Sequence, residues 1–322
     1  MTKLFSLAVV LATPFGAFAA DPALLQMVMP DAQVVAGLQV NQAKSSPFGR
    51  YVLSHLSVND TELREFTSQT GFDPRRDVTE IVIASNWQNN TPESRWLVLA
   101  HGTFDVPSIT AAVKTNGGTP DSYQGVNVLT LPASSQSAAL PTAIAFFDPG
   151  TAVLGDAASV KAAIGRKHTS APADVNVVSK AQQVSATNDF WFVTLVPLSN
   201  FSSAIPERNL SGAMQGNLFA AINEARGGVR FGDTVTISAE AVTRSEKDAQ
   251  SLVDVVKFFA GLVQLNRQKN PTAGQVATLL DSLQATTSGN TTSIVLSIPE
   301  PQLEQLLNSA HPAHAKASLE IN

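Results

Sequence analysis

The sequence predicts an α+β protein built as two related halves, each a mostly antiparallel sheet with helices packed mainly on one face. Three observations carry this expectation. Short apolar runs bounded by Gly, Pro or Asn alternate with amphipathic helical stretches. Neighbouring strand candidates arrive in hairpin-like pairs. The pattern of the first half returns in the second at a nearly constant offset. The composition fits a packed core: 44% of the 322 residues are hydrophobic and 15% are charged, far from the profile of a disordered chain.

Gln33 to Val40 reads as a largely apolar strand. Ser46 to Leu56 reads as a helix with Pro47 in its first turn, and a second helix runs from Asn59 or Asp60 to Thr70. Gly71 follows at the position where a left-handed residue ends a helix. Asp73 and Pro74 then turn the chain into a strand from Val78 to Ser85. Trp96 to His101 returns as its hairpin partner. Asp105 caps a helix that reaches Thr115. Val126 to Leu131, Thr142 to Phe147 and Thr151 to Leu154 are strands, and Asp156 caps a helix to about Arg166. Residues 167–180 lack regular periodicity and mark a linker between a first half, 20–166, and a second, 181–309.

The second half opens with a strand from Asp189 to Val196. Gly216 to Arg226 is expected as a helix closed by Gly227 and Gly228. Thr234 to Val242 alternates polar and apolar residues, as a half-buried strand does. Ser245 to Leu265 is the clearest helix: Ala249, Leu252, Val253, Val256, Phe259 and Val263 share one face, and Ser245 with Asp248 resembles a capping box. A helix from Thr272 to Gln284, a strand from Thr291 to Ile298 and a helix from Pro299 to Asn308 complete the half. At a fixed offset Val34 meets Phe190, Gly71 meets Gly227, Asp77 meets Asp233 and Ile81 meets Ile237, which predicts an internal duplication.

The amino terminus predicts the destination. Lys3, the apolar run Leu4 to Ala12 and the small residues Ala17 and Ala19 form a secretory signal with cleavage expected after Ala19. The chain has no cysteine, which excludes disulfides, thiol catalysis and a cysteine-linked lipid anchor. No later segment reaches the roughly 18 apolar residues of a membrane helix. The tail, 310–322, is expected to be disordered. A periplasmic or secreted protein follows. The net charge of -5 and the absence of a basic block argue against nucleic acid as a partner.

The chemistry is sparse. No G-x-S-x-G, H-E-x-x-H or phosphate-loop spacing occurs, and no cofactor or metal is expected. His311 and His314 lie in the tail. His101 ends a strand near Asp105, as a structural residue or a base. Arg75, Arg76 and Asp77 form either a solvated charged turn or a contact for an anion or partner. Gly71, Asp73, Pro74, Asp105, Asp156 and Gly227 are expected as caps and turns. Three functional classes stay open: a non-catalytic binding protein of the envelope or exterior, with its ligand or partner in a groove between the halves; a hydrolase that gathers Asp77, Asp105 and Asp156 in space; and a structural envelope component.

Ser46-Pro47-Phe48-Gly49, Thr70 to Asp77, Gly102-Thr103-Phe104-Asp105, Tyr123-Gln124-Gly125-Val126 and Gly155-Asp156 together resemble a family of exported bacterial proteins of unknown function, seen especially in acidobacteria. They are also similar to a broader domain of unknown function in secreted bacterial proteins, with a G-x-D-P-x-x-D step before a strand. No activity, ligand or catalytic residue is assigned to that family. The resemblance therefore implies export and fold organisation alone.

Overall fold

The computed structural model describes residues 19–55, 60–87, 94–132, 141–169, 175–199, 220–267 and 271–310. The expected signal residues 1–18, the tail with His311 and His314, and the start of the helix expected at Gly216 lie outside the described residues.

Among the described residues, all strands join one 12-stranded antiparallel sheet rather than one sheet per half. In chain order the elements are α1 (Pro22–Gln26), β1 (Val34–Gln39), α2 (Val40–Ser45), α3 (Pro47–His55), α4 (Asp60–Thr70), α5 (Pro74–Asp77), β2 (Val78–Ser85), β3 (Trp96–Gly102), α6 (Val106–Thr115), β4 (Thr119–Tyr123), β5 (Val126–Thr130), β6 (Thr142–Asp148), β7 (Thr151–Asp156) and α7 (Ala157–Thr169). Then follow α8 (Val175–Ser185), β8 (Phe190–Thr194), β9 (Ile222–Arg230), β10 (Thr234–Thr243), α9 (Glu246–Leu265), α10 (Pro271–Leu280), β11 (Gln284–Ser288), β12 (Thr291–Pro299) and α11 (Glu300–Ala310). Across the sheet the order is β11-β12-β10-β9-β8-β1-β2-β3-β7-β6-β5-β4.

Cross-strand rows show which face each residue serves, because opposed residues in an antiparallel sheet share a face. On one face, Trp191, Gly37, Val82, Leu99, Val153, Ala145 and Val128 are paired in succession from β8 to β5. They form the floor of the largest core, roofed by Leu24 and Leu25 of α1, Val160, Ala163 and Ile164 of α7, and Val177 and Ala181 of α8. Gly37 is needed here. A Cβ on it would lie 2.4 Å from Cζ2 of Trp191, so the indole can cross the sheet centre only over a bare backbone.

On the opposite face a second row runs Leu296, Ile237, Val229, Phe190, Leu38, Ile81, Ala100, Ala152 and Phe146. Two separate helix groups cover it. Over the β1–β7 side, Val40, Phe66, Phe72, Phe104, Ile109 and Val113 close a core, with edge-on and tilted ring contacts among Phe66, Phe72, Phe104 and Phe146. Over the β9–β12 side, Leu279 of α10 and Leu303 of α11 pack on Val235 and Ile298, and Leu252 of α9 packs near Ala225 and Ala241. Glu300 stitches the two groups: its Oε1 accepts from the Ser46 hydroxyl (2.8 Å) and from the Phe48 amide (3.0 Å).

Several expectations are corrected. The segment expected as a helix from Gly216 to Arg226 is strand from Ile222 onward, so Gly227 is not a helix cap. It sits in β9, where a Cβ would meet the Ser238 carbonyl oxygen at 2.3 Å, and at Gly228 one would meet the Phe190 carbonyl oxygen at 2.2 Å. A glycine pair ends helices, but it also lets backbone pass close to a strand, and here the second use applies. Much of the expected linker, 167–180, is helical: α7 continues to Thr169 and α8 starts at Val175. The short strands β4 and β11 are too polar to show an apolar run. The β1–β7 side also carries helices on both faces, where one covered face was expected.

Candidate functional site

The apolar rows do not continue unchanged on both sides of β8. On the face roofed by α1, α7 and α8, the Trp191 row continues into Gly228, Ser238 and Val295. The Val193 row continues into Arg226, Glu240 and Ser293. The helices that pack on β10 and β12 are α9, α10 and α11, all on the other face. Among the described residues no helix covers this part of the face, and a polar shelf results. Where it meets the C-terminal end of α8 there is a cavity of about 240 Å³, lined in part by Gln183, Asn188, Arg226, Ser238, Glu240 and Ser293.

The groups of this groove are organised by hydrogen bonds. Arg226 Nε donates to Glu240 Oε2 at 2.7 Å, and Nη1 donates to Gln183 Oε1 at 3.0 Å. Ser238 Oγ donates to Asn188 Oδ1 at 3.1 Å, while Asn188 Nδ2 donates to the Val184 carbonyl at 2.9 Å. Lys180 pairs with Glu224 beside it. The guanidinium and carboxylate neutralise one another, so the groove presents fixed donors and acceptors with little net charge. Such a surface suits an uncharged polar ligand or side chain. Sequence reasoning missed Arg226 because it was assigned to a helix end. Ser238 and Glu240 were visible as the polar set of an alternating strand.

The residues singled out in the sequence are placed as follows. Gly71 has φ 71° immediately after α4. Asp73 caps the four-residue α5, accepting from the Arg75 amide, and also takes Nε and Nη2 of Arg75. Arg76 forks onto Asp77. Both arginine side chains are more than half exposed. The Arg75 guanidinium holds the Asp73 carboxyl below its usual range, and Arg76 does the same for Asp77. Pro74 stands at the first position of α5. Asp105 caps α6 through the Ser108 amide and hydroxyl. Asp156 is buried and accepts from the amides of Ser159 and Trp96. Asp77, Asp105 and Asp156 thus each hold separate partners.

His101 does not meet Asp105. Gln39, Glu80, His101 and Thr151 are paired in a polar row across β1, β2, β3 and β7. Asp21, the cap of α1, lies on this row: its Oδ2 is 2.9 Å from His101 Nε2, and its amide donates to Glu80 Oε1 at 3.0 Å. Burial pushes the Glu80 carboxyl up, opposed by its hydrogen bonds from the Asp21 amide and Gln39. Among the described residues, no cluster of three or more metal-ligating side chains is placed to hold an ion. No described helix is long and apolar enough to cross a membrane.

The opposite face also leaves three large apolar residues partly open, one each on β2, β8 and β10. Ile83 is 48% exposed, Phe190 39% and Ile237 37%, although all three lie on apolar rows that are covered further out. On α9, Phe258, Leu262 and Leu265 are also exposed.

No family model matches the chain, and no curated protein matches it. Among solved structures it is similar to crystal form I of TP0453, with a TM-score of 0.45 and 12% identity, over 91% of this chain and 99% of that one. A likeness at this score carries no information about chemistry.

Proposed function

We propose that this is an exported, non-catalytic binding protein of the periplasm or cell exterior, and that the groove at Arg226, Glu240, Asn188 and Ser238 receives a polar side chain or short polar segment of its partner. One observation carries the reading. The part of the sheet face that no described helix covers holds a cavity whose polar groups are already fixed in position by one another, as recognition requires. The conspicuous acids and arginines elsewhere are held by helix-start amides or by exposed ion pairs, arrangements suited to steering the chain.

The same reading includes a duplicated plan. Outward from the central β1/β8 pair the order is β1-β2-β3-β7-β6 on one side and β8-β9-β10-β12-β11 on the other. In both, three successive strands are followed by the last two in reverse. On this plan β2 corresponds to β9, so the fixed offset that matches Ile81 to Ile237 slips by one strand.

The test is a photo-crosslinking amino acid at Ser293, in the groove, and at Ser251, on the outer side of α9, in the exported protein. A discrete adduct from Ser293 that weakens with Arg226→Ala supports the groove. Adducts from Ser251 alone, or none, would sink it.

A further inference from the structure

The described chain enters the core abruptly. Ala19 is exposed, whereas Ala20 is 1% exposed, and Leu24 and Leu25 are fully buried. The Ala20 nitrogen donates to Ser185 Oγ at 3.0 Å. That hydroxyl spends its own proton on the Gln182 carbonyl at 3.2 Å, so toward Ala20 it is an acceptor. One residue on, the Asp21 amide donates to Glu80 Oε1. Adjacent backbone nitrogens lie at most about 3.7 Å apart, which places the Ala20 nitrogen within about 7 Å of the Glu80 carboxylate. Glu80 is only 8% exposed. Among the described residues it forms no ion pair with lysine or arginine. The charged groups that face it are Asp21, of like sign, and His101, which is engaged by Asp21. A buried carboxylate so placed has no lysine or arginine of its own and shares its facing imidazole with Asp21.

We propose that Glu80 is the receptor for this chain's own α-ammonium, created at Ala20 when the leader is cut after Ala19. The inference rests on the reading that the chain is exported and processed at that bond. Hydrolysis by an endopeptidase adds water: the Ala19 carbonyl carbon takes the hydroxyl, and the Ala20 nitrogen leaves the amide and is protonated. Before the cut, that nitrogen has one hydrogen, already given to Ser185. After it, two further N–H donors and a positive charge stand within about 7 Å of the Glu80 carboxylate, at the point where the α1 segment meets α8 and β2. Processing thereby ties the amino-terminal segment into the main core, and the mature protein is more resistant to unfolding than any form extended at Ala20.

The test compares residues 20–322 in three forms: free Ala20 amine, acetylated amine, and a Gly-Ser-Gly extension. The free-amine form is expected to melt higher than both others at pH 7, by about 3 °C or more. The gap is expected to disappear in Glu80→Gln. Equal melting of all three forms, or a gap undiminished in Glu80→Gln, overturns the pairing. If Glu80→Gln does not fold, the pH dependence of acylation of the Ala20 amine decides. A midpoint at least about one unit above the ordinary 7.7–8.0 supports the pairing, and an unshifted one overturns it. The processing site is read separately, from the terminal mass of the exported protein. A terminus other than Ala20 overturns the processing step, while the melting comparison still judges whether Glu80 holds the ammonium.

Discussion

The strands β1–β7 and β8–β12 belong to one sheet, yet they are stabilised differently. The first set is clad by helices on both faces over β1–β3 and β7, and apart from the row Gln39, Glu80, His101 and Thr151 its rows there are apolar on both, as in Val82 and Leu99 beneath α1, α7 and α8, and Ile81 and Ala100 beneath the opposite helices. Beyond the contacts of α8 on β8 and β9, the described helices clad the second set on one face, and its other face carries Arg226, Ser238, Glu240 and Ser293. The change occurs at β8, where Trp191 is the last large residue under the roof. Its Nε1 has no hydrogen-bond partner among the described residues. The comparison teaches that one continuous ladder can serve as core on one side and as an open polar surface on the other. What differs is which residues alternate, not how the backbone pairs.

The sharpest way to break the comparison is Trp191→Ala, which opens a void at the boundary and should cost about 3–5 kcal/mol, measured by urea unfolding. A loss below about 1 kcal/mol would mean that the two sides are not joined through this core. A mirrored pair comes next. Val82→Ser, under the roof, should cost about 2 kcal/mol or more through lost apolar burial and a buried hydroxyl. Ser293→Val, on the polar face, should stay within about 0.5 kcal/mol. Similar effects for the two would erase the distinction. Glu300→Ala leaves the Ser46 hydroxyl and the Phe48 amide without their acceptor, and should cost about 1–3 kcal/mol.

A pH measurement isolates the doubly clad side further. With the Ala20 amine blocked, Glu80 titrates higher in the folded state than its unfolded value of about 4.3, because burial disfavours its charge. Its contribution is then fully present below that pH and is lost as pH rises through the folded value. The stability difference between this form and its Glu80→Gln variant should decline from pH 4 towards neutrality. A flat difference would contradict the burial. The smallest effect is expected from Arg75→Ala and Arg76→Ala, whose exposed pairs should leave the thermal midpoint unchanged within error.

Much of the local structure was legible in the sequence. Thr234 to Val242 alternates with period two, and its strand is found at Thr234–Thr243. Ser245 caps α9 through the Asp248 amide, as its spacing from Asp248 implied. Other elements were hidden for identifiable reasons. The Gly227-Gly228 pair looks the same whether it ends a helix or admits Asn188 and Ser238 against a strand, because both uses need only a missing Cβ. The groove was illegible for a related reason. Arg226 and Glu240 come from two strands and Asn188 from the turn before β8, and their spacing along the chain contains no motif.

The sequence by itself determined the α+β class, the helix caps at Asp105 and Ser245, and the chain reversal at Gly71 to Pro74. These depend on contacts a few residues apart, where propensity and hydrogen-bond geometry act directly. Only the tertiary structure decided that the twelve described strands make one sheet, that one face is roofed at β1 but carries no described helix at β10, and that Asp21 meets Glu80 and His101. Those outcomes depend on which distant apolar surfaces exclude water together, and that information is shared among residues far apart in the chain.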